Sequence, residues 1–454
     1  LAEGHNVPHL GELLPGWSML PFLALLGAIA ILPLAAAHFW ESNRNRALVA
    51  MLFSAPVAIY LLLAFGQAGG HALAHKLQEY ASFILLLAAL YVISGGICIR
   101  GSIEGTPRVN TAILVLGAVL ANFIGTTGAS MLLVRPMLRA NARRTNQSHV
   151  VVFFIFMVSN CGGLLTPLGD PPLFLGFILG VPFLQTALLW KEWALVNGAL
   201  LVLFFVWDSI DRARERRKAA SLPAASVPAA APPREPIRVA GLRNALLLMG
   251  VVATIYGAGQ GVGNGGKPWP FGVQELLMGL LAVVSYLGTP REIHKENHFI
   301  FGPIVEVAVL FAGIFVTMTP ALLILNAMGP KLRVNEPWEY FWITGLLSGF
   351  LDNAPTYLTF ASAAAGTQGV PVDGRYLGLL LERPLGWPLL AAISCGSVFM
   401  GAYTYIGNGP NFMVKAIAED KRYGVKMPGF FGYMVYSTCI LIPLFVLVTF
   451  VFFR

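Results

Sequence analysis

Long apolar runs dominate the chain, and their lengths set the first expectation. Crossing roughly 30 Å of hydrocarbon takes about 20 residues in a helix. Runs of that order fall near 18–39, 49–66, 79–98, 149–180 and 192–208, and again near 241–259, 273–288, 301–326, 386–414 and 429–453. The pattern predicts ten spans, five in each half. Between the third and fourth span of each half lies a stretch, 109–138 and 339–365, in which two short apolar arms flank a polar centre. Each arm is too short to span, so both stretches read as re-entrant hairpins. Their tips fall at Asn122-Phe-Ile-Gly-Thr-Thr-Gly128 and Asp352-Asn-Ala-Pro-Thr356.

Two runs are interrupted by matching polar breaks, Thr166-Pro-Leu-Gly-Asp-Pro-Pro172 and Thr404-Tyr-Ile-Gly-Asn-Gly-Pro410. Both fit T-x-x-G-[D/N]-x-P, and both follow a Cys-Gly pair, Cys161-Gly162 and Cys395-Gly396. Unpaired backbone groups are expensive in lipid and are tolerated where they line a cavity. One such break in each half predicts a secondary transporter with its site near the bilayer midplane. The expected fold is an all-α polytopic membrane protein, an inverted-topology repeat of five spans plus one re-entrant hairpin each, with two broken helices. Its parts are an outer-side segment 1–17, a first repeat 18–208, a flexible cytoplasmic linker 209–240 and a second, inverted repeat 241–454. The linker runs from the basic Asp211-Arg-Ala-Arg-Glu-Arg-Arg-Lys218 into an Ala/Pro-rich stretch with no apolar face.

Composition agrees with a membrane protein. Of 454 residues 56% are hydrophobic and 11% charged, with a mean hydropathy of +0.70, whereas a soluble domain carries about a quarter charged residues. The net charge of +8 does not point to nucleic acid, because the basic residues sit in short loops between apolar runs. With the N-terminus outside, the loops assigned to the cytoplasm hold 22 of the 30 Lys and Arg, the asymmetry of the positive-inside rule. That bias requires both hairpins to re-emerge on the side they entered, and so gives the halves opposite orientation. The absence of an initiating Met before Leu1 and the polar start suggest a removed leader, which agrees with an outer N-terminus. Four cysteines without C-x-x-C spacing indicate neither a disulfide framework nor a zinc site.

The candidate chemistry lies at the tips and breaks. Aligning the tips sets Asn122-x-x-x-Thr126 against Asp352-x-x-x-Thr356, and aligning the breaks sets Asp170 against Asn408. Each half then supplies one carboxylate on a non-helical element. In a low-dielectric site an isolated carboxylate is costly unless a proton, a cation or hydrogen bonds offset its charge. One group can therefore hold either H⁺ or a metal cation. Free carbonyls and the hydroxyls of Thr126, Thr127, Thr166, Thr356 and Thr404 add an oxygen cage suited to Na⁺ or Li⁺, with Asp170 and Asp352 as its charged ligands. Asn408 and Asn122 join this set, and Asn353, Asn160 and Asn411 join it, cap broken helices or join hairpin to scaffold. Glu79, one turn from His75, and Glu306 occupy corresponding third spans and are candidate proton-relay groups. No H-E-x-x-H, P-loop or nucleophile elbow is present, so the chain is not read as an enzyme, and no cofactor is expected beyond transported or coupling Na⁺ and H⁺.

These motifs resemble the ion transporter superfamily, in particular the ArsB/NhaD-type permeases and the related citrate transporter-like branch often labelled sodium:proton antiporter. The resemblance rests on Glu79-Tyr-Ala-Ser-Phe with Val92-Ile-Ser-Gly-Gly96, Asn160 to Asp170, Glu306-Val-Ala with Gly313-Ile-Phe-Val-Thr-Met318, and Asp352 to Thr356. It implies cation-binding roles for Asp170 and Asp352, a homodimer, and a transport domain that moves elevator-like against a scaffold. The expected location is a bacterial inner (plasma) membrane. The chain departs from the family at Pro171-Pro172-Leu-Phe, where hydroxyl residues follow the Asp, and at Gly-Thr-Thr-Gly in the first tip. Two membrane carboxylates and no candidate basic residue for an anion favour a Na⁺(Li⁺)/H⁺ antiporter as the leading reading. The alternatives are a Na⁺- or H⁺-coupled symporter of citrate or another small carboxylate, and an arsenite-type permease.

Overall fold

The computed structural model describes residues 10–101, 104–220, 236, 238–331 and 334–454, and it is nearly all helical. Among the described residues seven helical segments are long and apolar enough to cross a membrane: Gly16–Pro33, Asn43–Gly95, Pro107–Ala140, Thr186–Lys218, Gly302–Met328, Gly386–Tyr403 and Phe430–Phe453. The expected spans 49–66 and 79–98 belong to one helix, α1 (Asn43–Gly95), which bends at Gly66. The bend needs glycine, since φ is +51° there. The sixth and seventh expected spans are the helices Arg243–Gln260 and Val273–Gly288.

The first expected hairpin is α2 (Pro107–Ala140), split at Gly125 by φ +75° and ψ 156°. Its arms fold back on each other: Gly105 N donates to Ala140 O at 2.7 Å, and Asn110 and Asn141 exchange amide hydrogen bonds of 2.9 and 2.8 Å. The first break separates α3 (Ser148–Met157) from α4 (Pro171–Ile178). α3 is buried on every side, as a helix apolar all round must be. α5 (Trp190–Ala220) packs beside it and continues into the stretch read as a linker. Residues 221–235 and 237 of that linker, and 1–9 of the N-terminal segment, lie outside the described residues.

In the second half, α6 (Gly302–Met328) packs along α1. Their seam is aromatic, with Phe83 4.9 Å from Phe311 and 5.8 Å from Phe315 between ring centroids. The second tip lies between α7 (Pro337–Ser348) and α8 (Asn353–Thr367), and the second break between α9 (Gly386–Met400) and α10 (Gly409–Glu419). Two short strands, Cys98–Arg100 and Arg238–Ala240, pair antiparallel and tie the end of α1 to the start of the second half. Beside them Arg100 makes a two-pronged ion pair with Glu296, which holds that exposed carboxyl below its ordinary range.

Candidate functional site

Four helix starts meet at one carboxylate. Asp170 is the extended residue before α4, and Pro171, with no N–H to lose, opens that helix. Asn408 holds the same place before α10, and Asp352 before α8, where its side chain accepts from Ala354 N at 3.1 Å. Thr126 opens the second arm of α2, directly after the break at Gly125. Each start leaves backbone N–H groups without helical partners and carries partial positive charge. The side chains there converge: Thr126 Oγ1 donates to Asp170 Oδ1 at 2.8 Å, Asn408 Nδ2 donates to the same oxygen at 3.1 Å, and Asn353 Nδ2 donates to Oδ2. All four residues are buried. Thr126 N also donates to Gly169 O at 2.9 Å, which locks the first tip to the first break.

Three donors offset part of the cost of burying the Asp170 carboxylate. One acceptor stays free, since Asn353 Oδ1 is buried and has no hydrogen-bond partner. Together with the carboxylates of Asp170 and Asp352 it supplies the oxygen chemistry an alkali cation takes.

Beside this cluster lies a cavity of about 420 Å³ with mostly apolar walls, among them Leu86, Leu90, Phe174 and Phe311. Thr126, Thr127, Asp170, Asp352 and Asn408 line part of it. Arg46 from the start of α1 and Glu306 from the start of α6 line another part, with Nη2 of Arg46 3.1 Å from Oε1 of Glu306.

The profile of a family described as "Putative citrate transport" matches residues 11–453. The chain belongs to that family. No curated protein matches it. Membership makes the protein a citrate-transporter-like secondary transporter, and with seven membrane-length apolar helices it is an integral membrane protein.

In this citrate-transport family member the other sequence candidates occupy distinct places. The hydrogen bonds of the Asn122 side chain go to backbone groups and not to Asp170. Its amide donates to Gly162 O at 2.7 Å and accepts from Leu165 N at 2.8 Å, stapling the first arm of α2 to the broken helix. Thr166 and Thr404 are braces of one kind: Thr166 donates to Asn122 O and Thr404 to Gly349 O, and each accepts from the backbone N–H two residues on, at 3.2 Å. Thr356 donates back to Asp352 O at 2.9 Å within its own helix. Asn160 and Asn411 join the two breaks to each other at 2.7 Å.

These contacts revise the tip alignment by three residues. Thr126 and Asn353 are each the first residue past a break and each donate to Asp170, so Gly125 matches Asp352 and Asn122 matches Gly349. The Cys-Gly pairs are not equivalent either. Cys161 opens a 3₁₀ turn, whereas Cys395 lies well inside α9.

His75 and Glu79 lie in a separate pocket of about 350 Å³, with Asp373 and Tyr376. There both Glu79 oxygens accept from Lys76 at 2.8 Å, and His75 Nδ1 lies 2.9 Å from Glu79 Oε1. Two cations escaped the sequence reading. The positive-inside count places Arg46 in a cytoplasmic loop and Lys76 in an outer one, yet Lys76 is buried and Arg46 lines the Asp170 cavity. Both stand at the polar fringe of an apolar run, where charge counting assigns a residue to water. A second omission is the buried cluster in which Asp208 takes Arg144, His149 at 2.8 Å and Asn110 at 3.0 Å, clamping α5 to the base of α2. His149 is buried in it.

Proposed function

We propose that the protein is a cation-coupled symporter of citrate or a like small carboxylate. The observation that carries the reading is one cavity with an oxygen and amide cluster around Asp170 and Asp352 in one part and Arg46 in another. A bare alkali ion needs no chamber of about 420 Å³, whereas a small carboxylate with its coupling ion does. Family membership supports the same cargo. In this reading Asp170, Asp352 and Asn353 hold the coupling Na⁺ or H⁺, and the helix starts at Thr126 and Asn408 face the anion with their positive ends.

The cluster sits where two tips and two breaks meet, as an inverted repeat of five spans and one re-entrant hairpin per half requires. Tips and breaks then move together, elevator-like, against a scaffold that includes α1 and α6. The placement of basic residues supports an outer N-terminus in a bacterial inner membrane, and a homodimer accords with the resemblance.

A second reading, Na⁺(Li⁺)/H⁺ antiport, is favoured by one observation, the unpartnered Asn353 Oδ1 beside Asp170. Proteoliposomes separate the two. Symport predicts accumulation of labelled citrate under an inward Na⁺ or proton gradient, lost in Asp170→Asn and Asp352→Asn. Antiport predicts that Na⁺ or Li⁺ alone dissipates an acid interior while citrate does not enter, and that outcome would refute symport.

A further inference from the structure

This inference rests on the reading that the cargo is a small carboxylate. Among the described residues lining the Asp170 cavity, Arg46 is the one cation, and its guanidinium is unevenly used. Nη1 donates to Asn43 Oδ1 at 2.6 Å, and Nη2 lies 3.1 Å from Glu306 Oε1. Nε is buried and has no acceptor. Nε and Nη2 form one edge of the planar group, and that edge matches the two oxygens of a carboxylate.

The same chain holds the filled version for comparison. Arg100 offers the corresponding edge to Glu296, with Nε 2.8 Å from one carboxylate oxygen and Nη2 2.7 Å from the other. Glu306 completes half of this arrangement on Arg46 and leaves a buried N–H unpaired, which costs free energy. Its side chain is 36% exposed, against 13% for Arg46, so Glu306 is the partner with access to water. Trp40 lies 6.0 Å from the guanidinium and limits where that group can swing.

We propose that the Nε–Nη2 edge of Arg46 is the carboxylate-recognition site of the cavity, and that Glu306 is an internal stand-in which the cargo displaces. An incoming carboxylate takes both N–H groups together and Glu306 turns to solvent. The remaining negative charge of the cargo then shares the cavity with Asp170 and Asp352, whose repulsion a bound cation relieves. Recognition and coupling are thus parts of one charge balance.

The test is the KM for labelled citrate in proteoliposomes of the wild type, Arg46→Lys and Glu306→Ala. Arg46→Lys keeps the charge and loses the two-pronged edge, and its KM rises at least tenfold. Glu306→Ala removes the internal competitor, and its KM falls several-fold, a gain that misfolding cannot produce. An unchanged KM in Arg46→Lys, or a KM raised by Glu306→Ala, would overturn the inference while leaving symport intact. If Arg46→Lys does not fold, the direction of the Glu306→Ala shift decides. A wild type that takes up no small carboxylate refutes the symport reading itself.

Discussion

At the scale of single residues the centre of the site is Asp170, whose cost of burial is partly offset by three donors from three other elements. A hydrogen bond to a charged group contributes about 1.5–3 kcal/mol. Asn353→Ala removes one such donor and an unpartnered buried acceptor, so the affinity for the coupling cation should fall roughly 10–100-fold. The KM for citrate at saturating cation should move far less. Measuring uptake as a function of Na⁺ and of citrate separately checks this, and equal shifts in both would place Asn353 on the cargo. Much of this residue set was legible in the chain, because Asp170, Asp352, Asn408 and Thr126 are polar groups at Gly/Pro breaks in apolar runs. The roles of Asn122 and Thr166 were not. A side chain that staples two backbones and one that faces a cavity have the same composition and differ only in direction.

At the scale of elements the breaks depend on close backbone approach. A Cβ on Gly169 would lie 2.0 Å from Gly163 O, while one on Gly409 meets nothing within 4 Å. Gly169→Ala should therefore destabilise the fold by about 1–3 kcal/mol or more and abolish transport, while Gly409→Ala in the matching motif should be tolerated. Thermal midpoints in detergent and uptake measured together check the pair. A second element-level prediction concerns the clamp on α5. Arg144→Gln leaves Asp208 with His149 and Asn110 but without its buried cation, a loss of roughly 3–5 kcal/mol for a buried pair, read as a lowered midpoint. The sequence marked the breaks at Thr166 and Thr404 because helix-ending residues recur there at the same spacing. It misaligned the tips, because Asn122 and Asp352 look alike as polar residues, whereas the equivalence depends on which residue follows each break. Nothing in the local pattern announces that Asp208, inside an apolar helix, meets Arg144 and His149 from distant segments.

At the scale of the molecule, hydrophobic length predicts ten spans, whereas seven of the described helices are long and apolar enough to cross a membrane. Two expected spans merge in α1, the expected hairpin α2 is itself of membrane length, and the runs near 149–180, 241–259 and 273–288 yield none of the seven. The charge pattern was only half read. Counting Lys and Arg by loop treats every basic residue at a span edge as solvated, yet Lys76 folds into a pocket with Glu79 and Arg46 turns into the Asp170 cavity. With Arg46 placed there, Asp170, Asp352 and a guanidinium line one chamber, and the proposed symport is the reading that uses both charges. Two ligands in one chamber must be thermodynamically coupled, each changing the affinity of the other by the same factor. The most direct test is equilibrium binding of labelled citrate to the purified protein across a series of Na⁺ concentrations and pH values. The account predicts that citrate affinity rises with Na⁺ or with proton concentration, that citrate raises cation affinity by the same factor, and that Asp170→Asn abolishes both effects. Citrate affinity independent of Na⁺ and pH, or no citrate binding at all, would contradict it.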